Sequence, residues 1–206
     1  MNSRKPTSDN GPHPAGPKGS AGGFSIMTPR DDDFAGPTAF RLGTAFRPYV
    51  GQREFRDAMA AFGTTVCLVT AGTGAGRLGR TVTSVFSLSV DPPSILISID
   101  ISSDLADAIA GAYGFSFAML SQAQRDVADA FAGRREPEER FEAGSWSEWP
   151  SGHPRLAGAV VAMDCDLIGT METETHRLFA GGVTGIETDP GRLPLIWHRR
   201  AYKPLL

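Results

Sequence analysis

Residues 79–93 read Gly79-Arg80-Thr81-Val82-Thr83-Ser84-Val85-Phe86-Ser87-Leu88-Ser89-Val90-Asp91-Pro92-Pro93. β-Branched and apolar residues mixed with small hydroxyls over Arg80–Val90 predict a strand, and Asp91-Pro92-Pro93 stops it. Successive side chains on a strand face opposite sides. One face therefore carries Val82, Ser84, Phe86, Leu88 and Val90. The other carries Thr81, Thr83, Val85, Ser87 and Ser89, and four of those five are hydroxyl residues. A hydroxyl row can hydrogen-bond a polar ligand without adding charge. Equally, Thr and Ser on the wet face of a sheet need no ligand.

Outward from this stretch, Ser94–Asp100 (SILISID) is apolar at alternate positions and reads as the next strand. Upstream, Thr64–Ala71 (TTVCLVTA) reads as a strand too. The glycines of residues 72–79 lie between two strands, which makes them a hairpin loop and not a phosphate cradle. Gln52–Phe62 reads as a helix, with Phe55, Met59 and Phe62 on one stripe and Gly63 as C-cap. Ser102 or Ser103 can cap a helix over Asp104–Ala110. A short strand, Phe115–Leu120, precedes a capping box, Ser121-Gln122-Ala123-Gln124, that opens a helix to Ala132. Residues 134–157 read as loop. Three strands follow, at Ala159–Glu172, His176–Glu187 and Leu193–His198. Six or seven strands, few helices and no βα alternation predict a mainly β protein, an antiparallel barrel with a few peripheral helices.

Composition narrows the classes further. In 206 residues, 20 Lys plus Arg against 23 Asp plus Glu leave a net charge of −3, so a general phosphate-backbone binder is not expected. No run of about 18 apolar residues is present, so no spanning helix and no membrane role are expected. Residues 1–40 hold 6 Gly and 6 Pro, and Ile26 is their only branched aliphatic residue. We therefore expect residues 1–43 to be a disordered extension and 44–206 to form one domain. Cys67 and Cys165 sit in apolar, strand-like stretches and read as buried free thiols. With no apolar leader segment, they point to the cytoplasm. No metal site is expected: Glu172, Glu174 and His176 share a strand face, but no other ligand cluster supports them.

The stretch Gly79–Pro93 resembles the flavin-binding segment of the short-chain flavin reductase family, which supplies reduced flavin to two-component monooxygenases. Phe55-Arg56-Asp57-Ala58-Met59 resembles the family's opening helix. Phe131-Ala132-Gly133 and Arg140-Phe141 resemble its middle segment, and residues 152–165 (GHPRLAGAVVAMDC) its long strand. The resemblance spans roughly residues 53–206. It implies a split Greek-key barrel, a homodimer, and flavin in a groove near the dimer interface. It also implies an NAD(P)H:flavin oxidoreductase that reduces FMN or FAD, as substrate or loosely bound, with NADH or NADPH. The partner implied is a flavin-dependent monooxygenase reached by diffusible reduced flavin.

Residue by residue, the resemblance places Thr81, Val82, Thr83 and Ser84 along the isoalloxazine and ribityl chain, with Ser87 and Ser89 further on. Asp100, Ser102 and Ser103 match the loop that touches the flavin phosphate. His176 matches the catalytic histidine near the nicotinamide, and Tyr202, Arg140 and Phe141 are grouped with it. Two features depart from the family. The loop Asp100-Ile101-Ser102-Ser103-Asp104 has no Arg or Lys, and Glu174-Thr175 replaces Gly-Asp before His176. Weak, exchangeable flavin binding follows as one expectation, or a phosphate held by an arginine elsewhere. Trp146 and Trp149 are packing residues or a lid. A flavin- or haem-binding barrel without turnover is the rival class. A pyridoxamine-phosphate oxidase-like enzyme shares the barrel but needs more basic residues.

Overall fold

The computed structural model describes residues 45–72 and 74–205, together with Thr38–Ala39 and Gly43. Most of the Gly- and Pro-rich stretch lies outside the described residues. Within it, β1 (Thr38–Ala39) pairs in parallel with Met171 and Glu172.

The elements follow in order. Helix α1 spans Gln52–Met59. Strands β2 (Thr64–Thr65), β3 (Cys67–Ala71), β4 (Leu78–Val82), β5 (Val85–Val90) and β6 (Pro93–Asp100) come next. Then come α2 (Asp104–Ala112), β7 (Gly114–Met119) and α3 (Arg125–Asp129). The chain ends with β8 (Trp146–Glu148), β9 (Pro154–Leu156), β10 (Val161–Glu172), β11 (His176–Thr188), β12 (Ile196–His198) and β13 (Ala201–Lys203). The main sheet runs β4-β3-β7-β10-β11-β6-β5, and these neighbours pair antiparallel. Its two edges, β4 and β5, are joined by Thr83–Ser84 alone. Two residues span only ~10 Å from Val82 to Val85, so the sheet must curl until its edges meet at that corner. This is the antiparallel barrel expected from the sequence, split where the edges diverge. A second sheet, β13-β12-β2, continues from the first through Val66.

The strand expected over Arg80–Val90 is two strands. At Thr83–Ser84 the chain leaves its ladder with β3, where Cys67 opposes Val82, and joins β6, where Val85 opposes Ile97. Alternation across the break therefore does not define one face. Phe86, Leu88 and Val90, expected on one strand face with Val82 and Ser84, are 55%, 46% and 88% exposed. The residues of α1 are likewise outside the core, with none buried. The helix expected to reach Ala132 stops at Asp129 and continues as a wide turn in which Gly133 takes φ 92°. The Gln124 side chain does reach back to the Ser121 N–H, at 3.0 Å, so half of the capping box forms. The stretch 134–157 is not all loop, because β8 and β9 form a hairpin within it.

The core lies in two clusters. Ile97 and Ile99 of β6, Ile109 of α2, Phe115 of β7 and Phe179 of β11 fill one. Leu68, Leu120, Val127, Phe131 and Trp149 fill the other. Each such side chain contributes about 1.5–3 kcal/mol by burial. Cys67 and Cys165 are both buried and free. Trp149 is buried with its Nε1 donating to Ser116 Oγ at 3.0 Å, and Trp146 packs on Phe131 and Phe141. Both tryptophans therefore serve packing, the first of the two readings above.

Candidate functional site

The break at Thr83–Ser84 organises the site. Between the two ladders the side chains of Thr83 and Ser84 are left unpaired, while the Ser84 carbonyl accepts from the Ser98 N–H at 3.2 Å. Thr83 and Ser84 are exposed, and neither hydroxyl has a hydrogen-bond partner among the described residues. They border two cavities. The larger, of about 980 Å³, has Met59, Phe62, Phe86 and Trp197 among its walls and Arg53, Arg56 and Arg200 at its rim. The smaller, of about 230 Å³, includes Arg80, Asp100 and His176. Ser98 borders both. Strand β6 sends Ile97 and Ile99 into the core, so alternation turns Ser98 and Asp100 toward the cavities.

His176 opens β11 and lies opposite Asp100 in the ladder. Its Nδ1 is 2.9 Å from the Thr175 hydroxyl, which leaves Nε2 for a substrate. The hairpin behind it is pinned by Thr173, whose hydroxyl donates to the His176 carbonyl and accepts from the His176 N–H. Arg177 anchors the next position, with Nε 2.6 Å from Glu172 Oε1 and a guanidinium nitrogen 3.6 Å from Asp107 of α2. The Asp100 carboxylate accepts from the Ser102 hydroxyl at 2.7 Å and the Ser102 N–H at 2.9 Å. Those bonds hold its pKa below the ordinary aspartate value. They also commit the Ser102 hydroxyl, which was expected to meet a phosphate. Ser103 caps α2 without using its side chain, so its hydroxyl remains available.

The remaining expected residues separate. The Thr81 hydroxyl donates to the Ala128 carbonyl at 2.7 Å, so it can only accept from a ligand. Val82 borders the smaller cavity and packs on the core. Ser87 and Ser89 pair with Ile95 and Ser94 near the far end of the β5–β6 hairpin, and Ser89 is bonded to Asp91. Neither borders the two cavities, because the break confines the usable hydroxyls to the start of the row. Arg140 shares a third cavity, of about 420 Å³, with Arg80, Ser102 and Ser103 rather than with His176. Phe141 stacks edge-on to Phe131 at 4.9 Å. Tyr202 donates to Asp129 Oδ1 at 2.7 Å and packs on Trp197, so it ties β13 to α3 and stands behind the wall of the large cavity. Burial, with the bond to Asp129, pushes its phenol up to about 12.

Sequence reasoning missed Arg80, Ser98 and Trp197 as site residues. Ser98 carried a signal, as a polar residue at an alternate position of an apolar strand. Arg80 and Trp197 carried none, since their place depends on which strands become neighbours.

Residues 59–206 match the flavin reductase like domain family. The chain belongs to that family. It is 37% identical over 160 residues to the FMN reductase (NADH) RutF of Ancylobacter novellus, covering 78% of this chain and 88% of the relative. It is 36% identical over 155 residues to the reductase component of an FADH(2)-dependent resorcinol hydroxylase from Rhizobium sp., covering 74% and 86%. Among solved structures, the NADH:FAD oxidoreductase SgcE6 of Streptomyces globisporus C-1027 superposes with a TM-score of 0.71 at 25% identity, covering 80% of this chain and 99% of that one. Of the segments that carry the resemblance to this family, Thr81–Ser84 and His176 border the smaller cavity, and Thr83 and Ser84 border the larger one as well. The free hydroxyls of Thr83, Ser84 and Ser98 beside apolar walls and one histidine could meet a flat ring system with a polar edge.

Proposed function

We propose that the protein is an NAD(P)H:flavin oxidoreductase that reduces FMN or FAD and releases it to a partner monooxygenase. The observation that carries this reading is the set of unbonded hydroxyls on Thr83, Ser84 and Ser98. They face two adjoining cavities, one walled by aromatic side chains and the other holding His176. The nicotinamide supplies a hydride and the flavin ring accepts it, so no acid–base pair is demanded of the protein. The chain's task is to hold the two rings in contact and to keep water out.

In this reading Thr83, Ser84 and Ser98 bond the polar edge of the flavin, and Thr81 offers it an acceptor. Phe86 and Trp197 flank the ring. His176 meets the nicotinamide through Nε2, in the orientation its bonds to Thr175 and Thr173 impose. The relatives named above are FMN and flavin reductases, and one is the reductase component of a hydroxylase. These names support both the activity and the monooxygenase partner.

The catalytic unit in this reading is residues 44–206, with the stretch before it as an accessory. A homodimer accounts for the exposed apolar residues of α1 and β5, which a second copy would cover. A cytoplasmic location suits two free buried thiols. No helix among the described residues is long and apolar enough to cross a membrane. The test is oxidation of NADH and NADPH with FMN and with FAD, four pairs in all. Nicotinamide oxidation that requires added flavin supports the reading. A tightly held flavin that nicotinamide does not reduce overturns it in favour of a binding module.

A further inference from the structure

The loop Asp100–Asp104 lacks a cation, yet the structure brings two to it. Gly79 and Thr81 turn toward α3 and the turn that follows it: a Cβ on Gly79 would lie 2.7 Å from Phe131, and Thr81 bonds Ala128. Alternation then sends Arg80 to the opposite side, between Leu78 and Val82. There it borders both the cavity of His176 and the cavity of Ser103. No hydrogen bond or ion pair holds its guanidinium among the described residues. Across the second cavity stands Arg140, whose Nε donates to the Arg135 carbonyl at 3.3 Å and whose terminal nitrogens have no partner among the described residues. The Asp100 carboxylate is engaged by Ser102, so it does not consume Arg80 in a direct ion pair.

An exposed arginine normally lies free in water, and one such residue means little. Two unpaired guanidiniums and the free hydroxyl of Ser103 line one cavity of about 420 Å³, beside the single carboxylate of Asp104, and each guanidinium offers a fork of donors suited to a phosphate. From Thr83 back to Arg80 is three strand residues, roughly 10 Å. That reach matches a ribityl chain carrying a phosphate from the hydroxyl segment to the second cavity.

We propose that Arg80, assisted by Arg140, grips the phosphate end of the flavin nucleotide and makes the protein select phosphorylated flavins over riboflavin. This rests on the flavin reading above and assigns to strand β4 the cation that the loop lacks.

The test is equilibrium titration of oxidised FMN and of riboflavin, followed by flavin fluorescence, for the wild type, Arg80→Gln and Arg80→Lys. The wild type should bind FMN at least tenfold more tightly than riboflavin. Arg80→Gln should weaken FMN binding about tenfold, equivalent to about 1.4 kcal/mol, and move riboflavin far less. Arg80→Lys should recover part of the loss, since charge remains while the fork is gone. Steady-state KM values for FMN and riboflavin should follow the same ratio. If Arg80→Gln keeps the FMN preference, or weakens both flavins equally, the proposal is overturned. A wild type that binds FMN and riboflavin equally overturns it as well, while leaving flavin reduction intact. A wild type that binds and reduces neither flavin removes the flavin reading itself, and this proposal with it.

Discussion

Thr81 and Thr83 are two residues apart, and the structure gives them opposite tasks. The hydroxyl of Thr81 is used inside the protein, on the Ala128 carbonyl, whereas that of Thr83 has no protein partner. Valine conserves shape and strand propensity at both positions. Thr83→Val should leave folding intact and raise the flavin KM several-fold, since one net hydrogen bond is worth about 0.5–1.5 kcal/mol. The nicotinamide KM should change little. Thr81→Val should instead lower stability by about 1 kcal/mol, because the Ala128 carbonyl loses its donor. Flavin and nicotinamide titrations beside thermal melts separate the two, and a flavin KM untouched by Thr83→Val would remove that residue from the site. The thiols are a second case at this scale. Burial pushes Cys67 up to about 11 and Cys165 up to about 12, so neither is thiolate near neutral pH. Neither should react with a thiol reagent until the protein is unfolded. Labelling of the native protein at either position would contradict the burial.

The element that decides the architecture is the pair β4 and β5. They look like one strand in sequence because Thr and Ser are tolerated in strands, so nothing local marks Thr83–Ser84 as a break. The break becomes necessary only when β4 pairs with β3 and β5 with β6. The packing of β4 is tight on one side. A Cβ at Gly79 would lie 2.7 Å from Phe131 Cε1 and 2.9 Å from Thr70 Cγ2. Gly79→Ala should therefore destabilise by about 1–3 kcal/mol, as overpacking does. For a domain of this size that is a melting temperature lower by roughly 2–4 °C for each kcal/mol. A wild-type melting temperature would mean that Phe131 can move aside. Existence and type of most elements were legible from periodicity. The ends of α3, the β8–β9 hairpin and β13 were not, because short elements are stabilised by tertiary partners rather than by their own pattern.

At the scale of the molecule, apolar side chains accumulate outside. Phe55 and Phe62 near α1 are 56% and 59% exposed, and Val90 is 88% exposed. A lone exposed apolar residue needs no explanation, but several of them on α1, just after it and along β5 do. Sedimentation or light scattering should give a mass of twice the chain. Val90→Glu should shift the protein toward monomer while the far-UV spectrum stays unchanged. A wild type that remains monomeric at tens of micromolar would remove the dimer.

The amino-acid sequence by itself determined the mainly β antiparallel fold, and through its resemblance to the flavin reductase family it singled out Thr81–Ser84 and His176 as candidates. The fold was legible because alternation and turn residues act over a few residues and are written along the chain. Tertiary structure alone decided which hydroxyls stay free, that Arg140 faces Ser103 rather than His176, and that Arg80 reaches the cation-poor loop. Those outcomes depend on which strands become neighbours and where the sheet's edges meet. Strand pairing joins residues distant in sequence, and no local pattern around Arg80 or Arg140 encodes it.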